Sequence, residues 1–236
     1  MQARLISVES VADAAAGFWF ELGAPFEFQP GQTCDVTLPA AKYHDDKGNA
    51  RTFSIASSPA DMPRLLVATR LTGSAFKRSL EEAAPGTEVD IDGPYGSLTL
   101  HRNAAKPAVL MAGGIGITPF RSIVKDAAER KLPHQVTLFY SNRTAGSTAF
   151  IGELERWQAQ NPNFRLVATI TEPDDQPWKH ETGMIDAAFL QPRVTDPAGA
   201  IYYVAGPPAF VTGMRAALDG LGADPDNIRT EEFSGY

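Results

Sequence analysis

Cysteine is nearly absent from this chain: Cys34 is the only one in 236 residues. One thiol cannot close an intrachain disulfide, hold a four-cysteine iron–sulfur cluster or build a structural zinc site. Set in an apolar alternation, it reads as a small strand residue rather than a nucleophile. An excess of positive charge is missing as well. Lys and Arg number 21 against 28 Asp and Glu, a net charge of -7, whereas general nucleic-acid binding needs a basic face. No apolar run approaches the roughly 20 residues of a membrane helix. The opening Met1–Ser7 lacks the apolar core of a secretory signal. A cytoplasmic, reducing setting is therefore expected. No Gly-x-Ser-x-Gly elbow supports a serine hydrolase, and His44, His101, His134 and His180 sit in loops without metal-ligand spacing. Asp45-Asp46 and Asp174-Asp175 read as loop charges, not as a catalytic carboxylate pair.

What is present divides into two textures. Residues 4–11 and 17–22 alternate apolar and polar at period two, and further strands are expected at 33–38, 51–56, 64–71, 87–91 and 97–100. Turn signals such as Pro30-Gly31, Lys47-Gly48-Asn49 and Pro85-Gly86 separate them. One helical segment, 74–82, interrupts the series. Short strands at this spacing point to an antiparallel barrel or sandwich. From about residue 105 strands alternate with helices: strands at 108–111, 135–140, 165–170 and 201–205, helices at 119–130, 149–160 and 208–221, and a last strand at 228–233. That rhythm is a parallel sheet with crossover helices. The loop 101–106 is the expected boundary, giving domains 1–102 and 103–236.

The first strand of the second half runs into Gly113-Gly114-Ile115-Gly116-Ile117-Thr118-Pro119 and then an amphipathic helix. Strand, glycine turn and helix together present free backbone N–H groups to a phosphate, and glycine lets the ligand reach the backbone. After the next strand the chain reads Ser141-Asn142-Arg143-Thr144, where many dinucleotide folds place an acid on the ribose diol. A serine and an arginine suit a 2′-phosphate better, so NADPH is expected over NADH, with NADH still open.

Five short motifs stand in order: Arg51-Thr52-Phe53-Ser54, Gly93-Pro94-Tyr95-Gly96, the glycine turn, Ala205-Gly206-Pro207-Pro208 and Glu231-Glu232-Phe233. Through them the chain resembles the ferredoxin–NADP reductase family of flavoproteins over nearly its whole length. The resemblance implies an antiparallel six-stranded β-barrel that binds FAD, followed by an α/β parallel-sheet NAD(P)-binding domain, with no iron–sulfur domain. Arg51, whose planar donors suit a pyrophosphate, resembles the family's FAD-phosphate ligand, with Thr52 beside it. Phe53 resembles the aromatic lying against the flavin, and Ser54 the hydroxyl near flavin N5. Thr69 and Leu71, before the helix, and Ala75, Phe76 and Lys77, in its first turn, resemble further FAD contacts. The family commonly has a Ser or Thr where Ala75-Phe76-Lys77 stands, so backbone amides and Lys77 would bind phosphate here.

On the donor side the resemblance assigns Gly113, Gly114, Gly116, Thr118, Pro119, Ser141, Arg143, Gly206 and Pro207 to the dinucleotide. Alanine at 205 replaces the family's usual cysteine. Glu232 and Phe233 resemble tail residues near the flavin, and either Phe233 or Tyr236 would stack on it. Together with Ser54, Glu232 and Phe233 are the expected catalytic residues. The implied activity is FAD-dependent oxidation of NAD(P)H, with electrons passing to a separate acceptor such as ferredoxin or flavodoxin. Two alternatives remain: a reductase that treats flavin as a dissociable substrate, and a non-catalytic flavin or dinucleotide sensor.

Overall fold

The computed structural model describes residues 1–233. Its first half is one sheet of β1 (Gln2–Ala12), β2 (Ala15–Leu22), β3 (Thr33–Thr37), β4 (Ala50–Ser54), β5 (Arg64–Arg70) and β6 (Glu88–Tyr95). The strands stand in the order β4-β3-β6-β1-β2-β5, all neighbours antiparallel. Just past β4, Ile55 bridges to Val67 of β5 and the Ala56 N–H donates to Leu66 O at 2.8 Å. These contacts join the two edge strands, so the sheet curls back on itself and hides its unpaired edges. The period-two alternation turns Leu5, Phe18, Phe20, Val36, Leu65, Val67 and Ile91 into a common core. Helix α1 (Ala75–Glu81) plugs that core with Phe76 and Leu80.

The second half is a parallel sheet of β7 (Ala108–Gly113), β8 (Val136–Asn142), β9 (Phe164–Ile170), β10 (Glu181–Thr182), β11 (Ile201–Gly206) and β12 (Ile228–Glu232). Their order is β10-β9-β8-β7-β11-β12, and every pair is parallel. Helices α2 (Ile117–Glu129) and α3 (Ile151–Gln160) pack on the barrel-facing side, and α4 (Ala187–Leu190) and α5 (Pro208–Gly220) on the other. Burial on both faces explains why β7 and β11 read as continuous apolar runs. No described helix is long and apolar enough to cross a membrane.

The two sheets share one apolar core. Ala56, Leu66, Ala68 and Leu98 from the first half cluster with Ile115, Phe120, Ile123 and Tyr203 from the second. Helix α2 carries the polar contacts across this seam. The Ser122 hydroxyl donates to Ser57 O at 2.6 Å, the Ser58 hydroxyl donates to Glu129 at 2.6 Å, and Lys125 pairs with Asp61.

The sequence reading departs from the structure in two respects. Residues 97–100 form no strand. Leu98 is drawn into the shared core, and Thr99 O accepts from Arg229 Nη1 at 2.9 Å, a side-chain partner in place of a ladder. The short β10 and α4 were not anticipated, because two to four residues leave no periodicity to read. His101 and His134 lie in loops, as expected, and are buried, their rings 5.1 Å apart edge to face. His101 Nε2 faces Lys106 O at 2.9 Å, so Nδ1 accepts from the Tyr203 hydroxyl at 2.9 Å. Burial pushes the His101 imidazole below its ordinary value, which keeps it neutral as a tie between the connecting chain and β11.

Candidate functional site

The site grows from three strand ends. On the barrel, β4 delivers Arg51 and Phe53 to one face and Thr52 and Ser54 to the other. Arg51 and Phe53 both meet Phe76: the guanidinium lies 5.3 Å from that ring and Phe53 lies 5.9 Å from it. Phe53 is only 8% exposed and belongs to the barrel core. Its ring therefore braces Phe76, and through it Arg51. The Thr52 hydroxyl donates to Asp35 on β3. Ser54 is 5% exposed, and its Oγ has no hydrogen-bond partner within the protein. A buried hydroxyl without a partner is costly, so an acceptor or donor from a bound group fits this position.

Three cations gather around the start of α1. Lys77, in the first turn of α1, is half-buried. Burial, then Arg51, then Arg70 push its ammonium below its ordinary value. The two arginines add to the cost of charging Lys77, so an anion placed among the three would relieve it. The sequence reading passed over Arg70, although it stands between Thr69 and Leu71, which it named. Thr69 is buried, and the Leu71 N–H donates to Ala14 O at 2.8 Å. The Ala75 N–H donates to Asp45 Oδ2 at 3.3 Å.

In the second half, β7 ends at Gly113, followed by one 3-10 turn over Gly114–Gly116 and then α2. Gly114 has φ +56°, with open space where a Cβ would be, so the turn shows bare backbone to a ligand. At Gly116 an added Cβ would lie 2.6 Å from the Ala205 carbonyl carbon and 2.8 Å from Gly206 Cα. Only glycine lets these two turns touch. The Thr118 hydroxyl donates to Ile115 O at 3.1 Å, closing the turn from inside, and Pro119 occupies the first turn of α2, where its missing N–H is harmless. Gly206 and Pro207 lead into α5, and the Phe233 N–H donates to Gly206 O at 2.9 Å. That bond ties the end of β12 to the second turn.

Alternation along β12 decides which carboxylate faces the barrel. Arg229 is opposite Tyr203 and Glu231 is opposite Ala205, both in the shared core, whereas Glu232 is opposite Gly206 and exposed. Burial pushes the Glu231 carboxyl up to about 7. Glu231 thus sits on the side where the two halves meet, whereas Glu232, the residue expected from the sequence, is on the exposed side. The signal was available: Arg229, Glu231 and Phe233 share one parity. Phe233 is half-buried and packs on the shared core. Tyr236 lies outside the described residues.

Glu231 supports a pH prediction. A carboxyl raised in the folded state holds a proton that the unfolded chain releases, so its stabilising contribution is complete below about pH 4.5 and is lost as pH rises through about 7. Glu231→Gln is expected to gain on the order of 2 kcal/mol over the parent between pH 5 and pH 8. Thermal denaturation at both pH values checks this, and an unchanged difference between the two proteins contradicts it.

At the end of β8, Ser141 is half-buried and Arg143 exposed. Arg143 lines a cavity of about 360 Å³ between the halves, together with Arg70, Asp13, Thr144, Ser147 and Glu172. A larger depression, about 770 Å³, lies between residues 22–28 and 59–63 and holds none of the sequence-predicted site residues. Cys34 is fully buried, and burial drives its thiol up to about 12. Among the described residues no group of three His, Cys, Asp or Glu is placed to hold a metal ion.

The architecture is a curled antiparallel sheet carrying a cluster of cations, joined to a parallel sheet with a glycine turn at its carboxyl edge. Residues 110–216 match the family model of the oxidoreductase NAD-binding domain. The chain is 28% identical to reductase component 2 of terephthalate 1,2-dioxygenase from Comamonas sp, across 81% of this chain and 57% of that protein. It superposes on a cytochrome P450 reductase from Amycolatopsis with a TM-score of 0.84, at 24% identity, covering 99% of this chain and 70% of that one. For a ferredoxin NADP+ reductase from Neisseria gonorrhoeae the TM-score is 0.81 at 18% identity, with 98% of each chain covered. Residues 110–216 are thus similar to an oxidoreductase NAD-binding domain, and the whole chain shares the two-part fold of these reductase structures. It spans a little over half the length of the first curated relatives it matches.

Proposed function

We propose that this protein is an FAD-dependent NAD(P)H oxidoreductase that passes electrons from the nicotinamide, through the flavin, to a separate acceptor such as a ferredoxin or flavodoxin. The observation that carries this reading is the buried, unpartnered Ser54 hydroxyl at the end of β4, the strand that also carries Arg51 of the cationic cluster. When bound, the flavin supplies a hydride acceptor that can release electrons one or two at a time.

The chain's own residues bind, orient and exclude water. Arg51, Arg70 and Lys77 neutralise the FAD pyrophosphate, while Ser54 supplies the hydrogen bond that orients the reacting edge. The backbone of Gly113–Pro119 and of Gly206-Pro207 holds the dinucleotide at the strand ends. Phe233 and the shared apolar core keep water from the seam. Glu231, in place of Glu232, is the carboxyl on the flavin side, and with its value raised to about 7 it holds or releases a proton near neutrality.

NADPH is the proposed donor. Ser141 and Arg143 end β8 without an acid on that strand, and the cavity that Arg143 lines also holds Arg70. Glu172 and Asp13 line the same cavity, so selectivity is the informative readout. Arg143→Ala is expected to raise the NADPH KM about tenfold while changing the NADH KM little. Steady-state kinetics with both donors test this; equal effects remove the 2′-phosphate assignment.

A second reading, a reductase using dissociable flavin, is favoured by the carboxylate of Asp45 already resting on Arg51. The visible spectrum of the purified protein separates the two, followed by anaerobic addition of NADPH or NADH. A flavin band that either donor bleaches supports the proposed function. A colourless protein that oxidises NAD(P)H only with added flavin supports the second reading, and a yellow protein that neither donor bleaches contradicts both.

A further inference from the structure

The chain between β3 and β4, residues 38–49, is strapped onto α1. The Tyr43 N–H donates to Ser79 Oγ at 2.8 Å, the Tyr43 hydroxyl reaches Glu82 at 3.0 Å, and Arg78 stacks 4.0 Å above the Tyr43 ring. Lys42 pairs with the same Glu82 at 2.5 Å. These anchors hold the next few residues across the cationic cradle. There Asp45 Oδ1 accepts from the Lys47 N–H at 2.9 Å and faces Arg51 Nη2 at 3.4 Å. Its second oxygen takes the Ala75 N–H at 3.3 Å. Arg51 Nη1 is engaged as well, donating to Lys47 O at 2.9 Å and Gly48 O at 3.0 Å. Donors on both sides of the cradle are thus satisfied by the strap itself. The Asp45 side chain is 31% exposed and that of Arg51 22%, so solvent does not fully screen the pair.

We propose that Asp45 is a resident counter-anion of the phosphate cradle, which FAD must displace, and that it sets how tightly the protein retains the cofactor. The proposal rests on the reading of Arg51 as an FAD-phosphate ligand. With the carboxylate in place, the cations are partly neutralised without cofactor, and the pyrophosphate gains less on entering. Asparagine removes the negative charge and keeps one acceptor oxygen for the Lys47 N–H, at the loss of the 3.3 Å bond from Ala75. The strap stays anchored through Lys42 and Tyr43 while the cations are freed. The isoalloxazine end of the cofactor is indifferent to this exchange, because only the pyrophosphate competes with Asp45.

The test is equilibrium binding of FAD to the full chain stripped of flavin, followed by flavin fluorescence, with riboflavin as the probe that lacks phosphate. Asp45→Asn is expected to bind FAD about five- to tenfold more tightly than the parent, with riboflavin affinity unchanged. Asp45→Ala, which removes the Lys47 contact too, is expected to gain as well if charge is the cause. Unchanged or weaker FAD binding in both variants overturns the proposal, as does a gain shared equally by riboflavin. Arg51→Ala separates the two levels of the argument. Weaker FAD binding in that variant, with no gain in Asp45→Asn, leaves the cradle standing and removes only the role of Asp45. FAD binding unaffected by Arg51→Ala removes the cradle and, with it, this proposal.

Discussion

Arg121→Ala is expected to destabilise the protein by about 3–5 kcal/mol, the scale for stripping one partner from a buried ion pair. Arg121 is only 3% exposed. Its Nε and Nη2 grip both oxygens of Glu153 on α3, at 2.7 and 2.9 Å, while Nη1 donates to Ala56 O in the barrel half at 2.6 Å. The guanidinium plane also lies 4.8 Å from Phe150 and 5.6 Å from Trp157. Alanine leaves Glu153 without its counter-charge and a buried carbonyl without a donor, and it empties a slot between two rings. Arg121→Lys is expected to recover less than half of the loss, because an ammonium cannot make the paired bonds and the carbonyl contact together. Urea denaturation of the parent and both variants measures the effect. A loss below about 1 kcal/mol would show that the seam is held by its apolar core alone.

Gly116→Ala is expected to cost about 2–4 kcal/mol, through overpacking that cannot relax into solvent. The obstacle is backbone: the new methyl would lie 2.6 Å from the Ala205 carbonyl carbon. Neither turn can yield without moving β11 or α2, both of which are buried in the shared core. Donor binding is expected to suffer beyond the stability loss, because the two turns that flank the dinucleotide site are forced apart. Gly114→Ala is the informative control. Its Cβ would meet no atom, but φ +56° strains any L residue by about 1 kcal/mol, so it should stay folded while obstructing the phosphate approach. Thermal denaturation and nicotinamide titrations on both variants check the pair. A Gly116→Ala protein as stable as the parent contradicts the tight turn-to-turn packing.

Much of this fold is written in local pattern. Alternation at period two marked the barrel strands, and the alternation of strands with helices marked the parallel sheet, because each pattern reports which side of an element must leave water. Of the proposed site, the sequence marks what a short contiguous motif can carry: Arg51 to Ser54, and the glycine turn from 113 to 119. It was less legible where a residue's role depends on which face it turns. Glu231 and Glu232 are chemically identical neighbours, and only the pairing of β12 with β11 puts one against the shared core and the other in water. Phe53, proposed from the sequence as a flavin contact, packs in the barrel core 5.9 Å from Phe76.

By itself, then, the sequence determined the two kinds of sheet and the strand, glycine turn and helix that join β7 to α2. Each depends on residues within about ten positions of one another. Tertiary structure alone decided the strand order, the conversion of residues 97–100 from strand to seam, the reach of Arg121 from α2 to Ala56, and the placing of Asp45 on Arg51 and Ala75. These are contacts between segments distant along the chain. Which partner each group finds is settled by the competition of all buried polar groups for hydrogen bonds and of all apolar faces for cover, and no local pattern records the outcome of that competition.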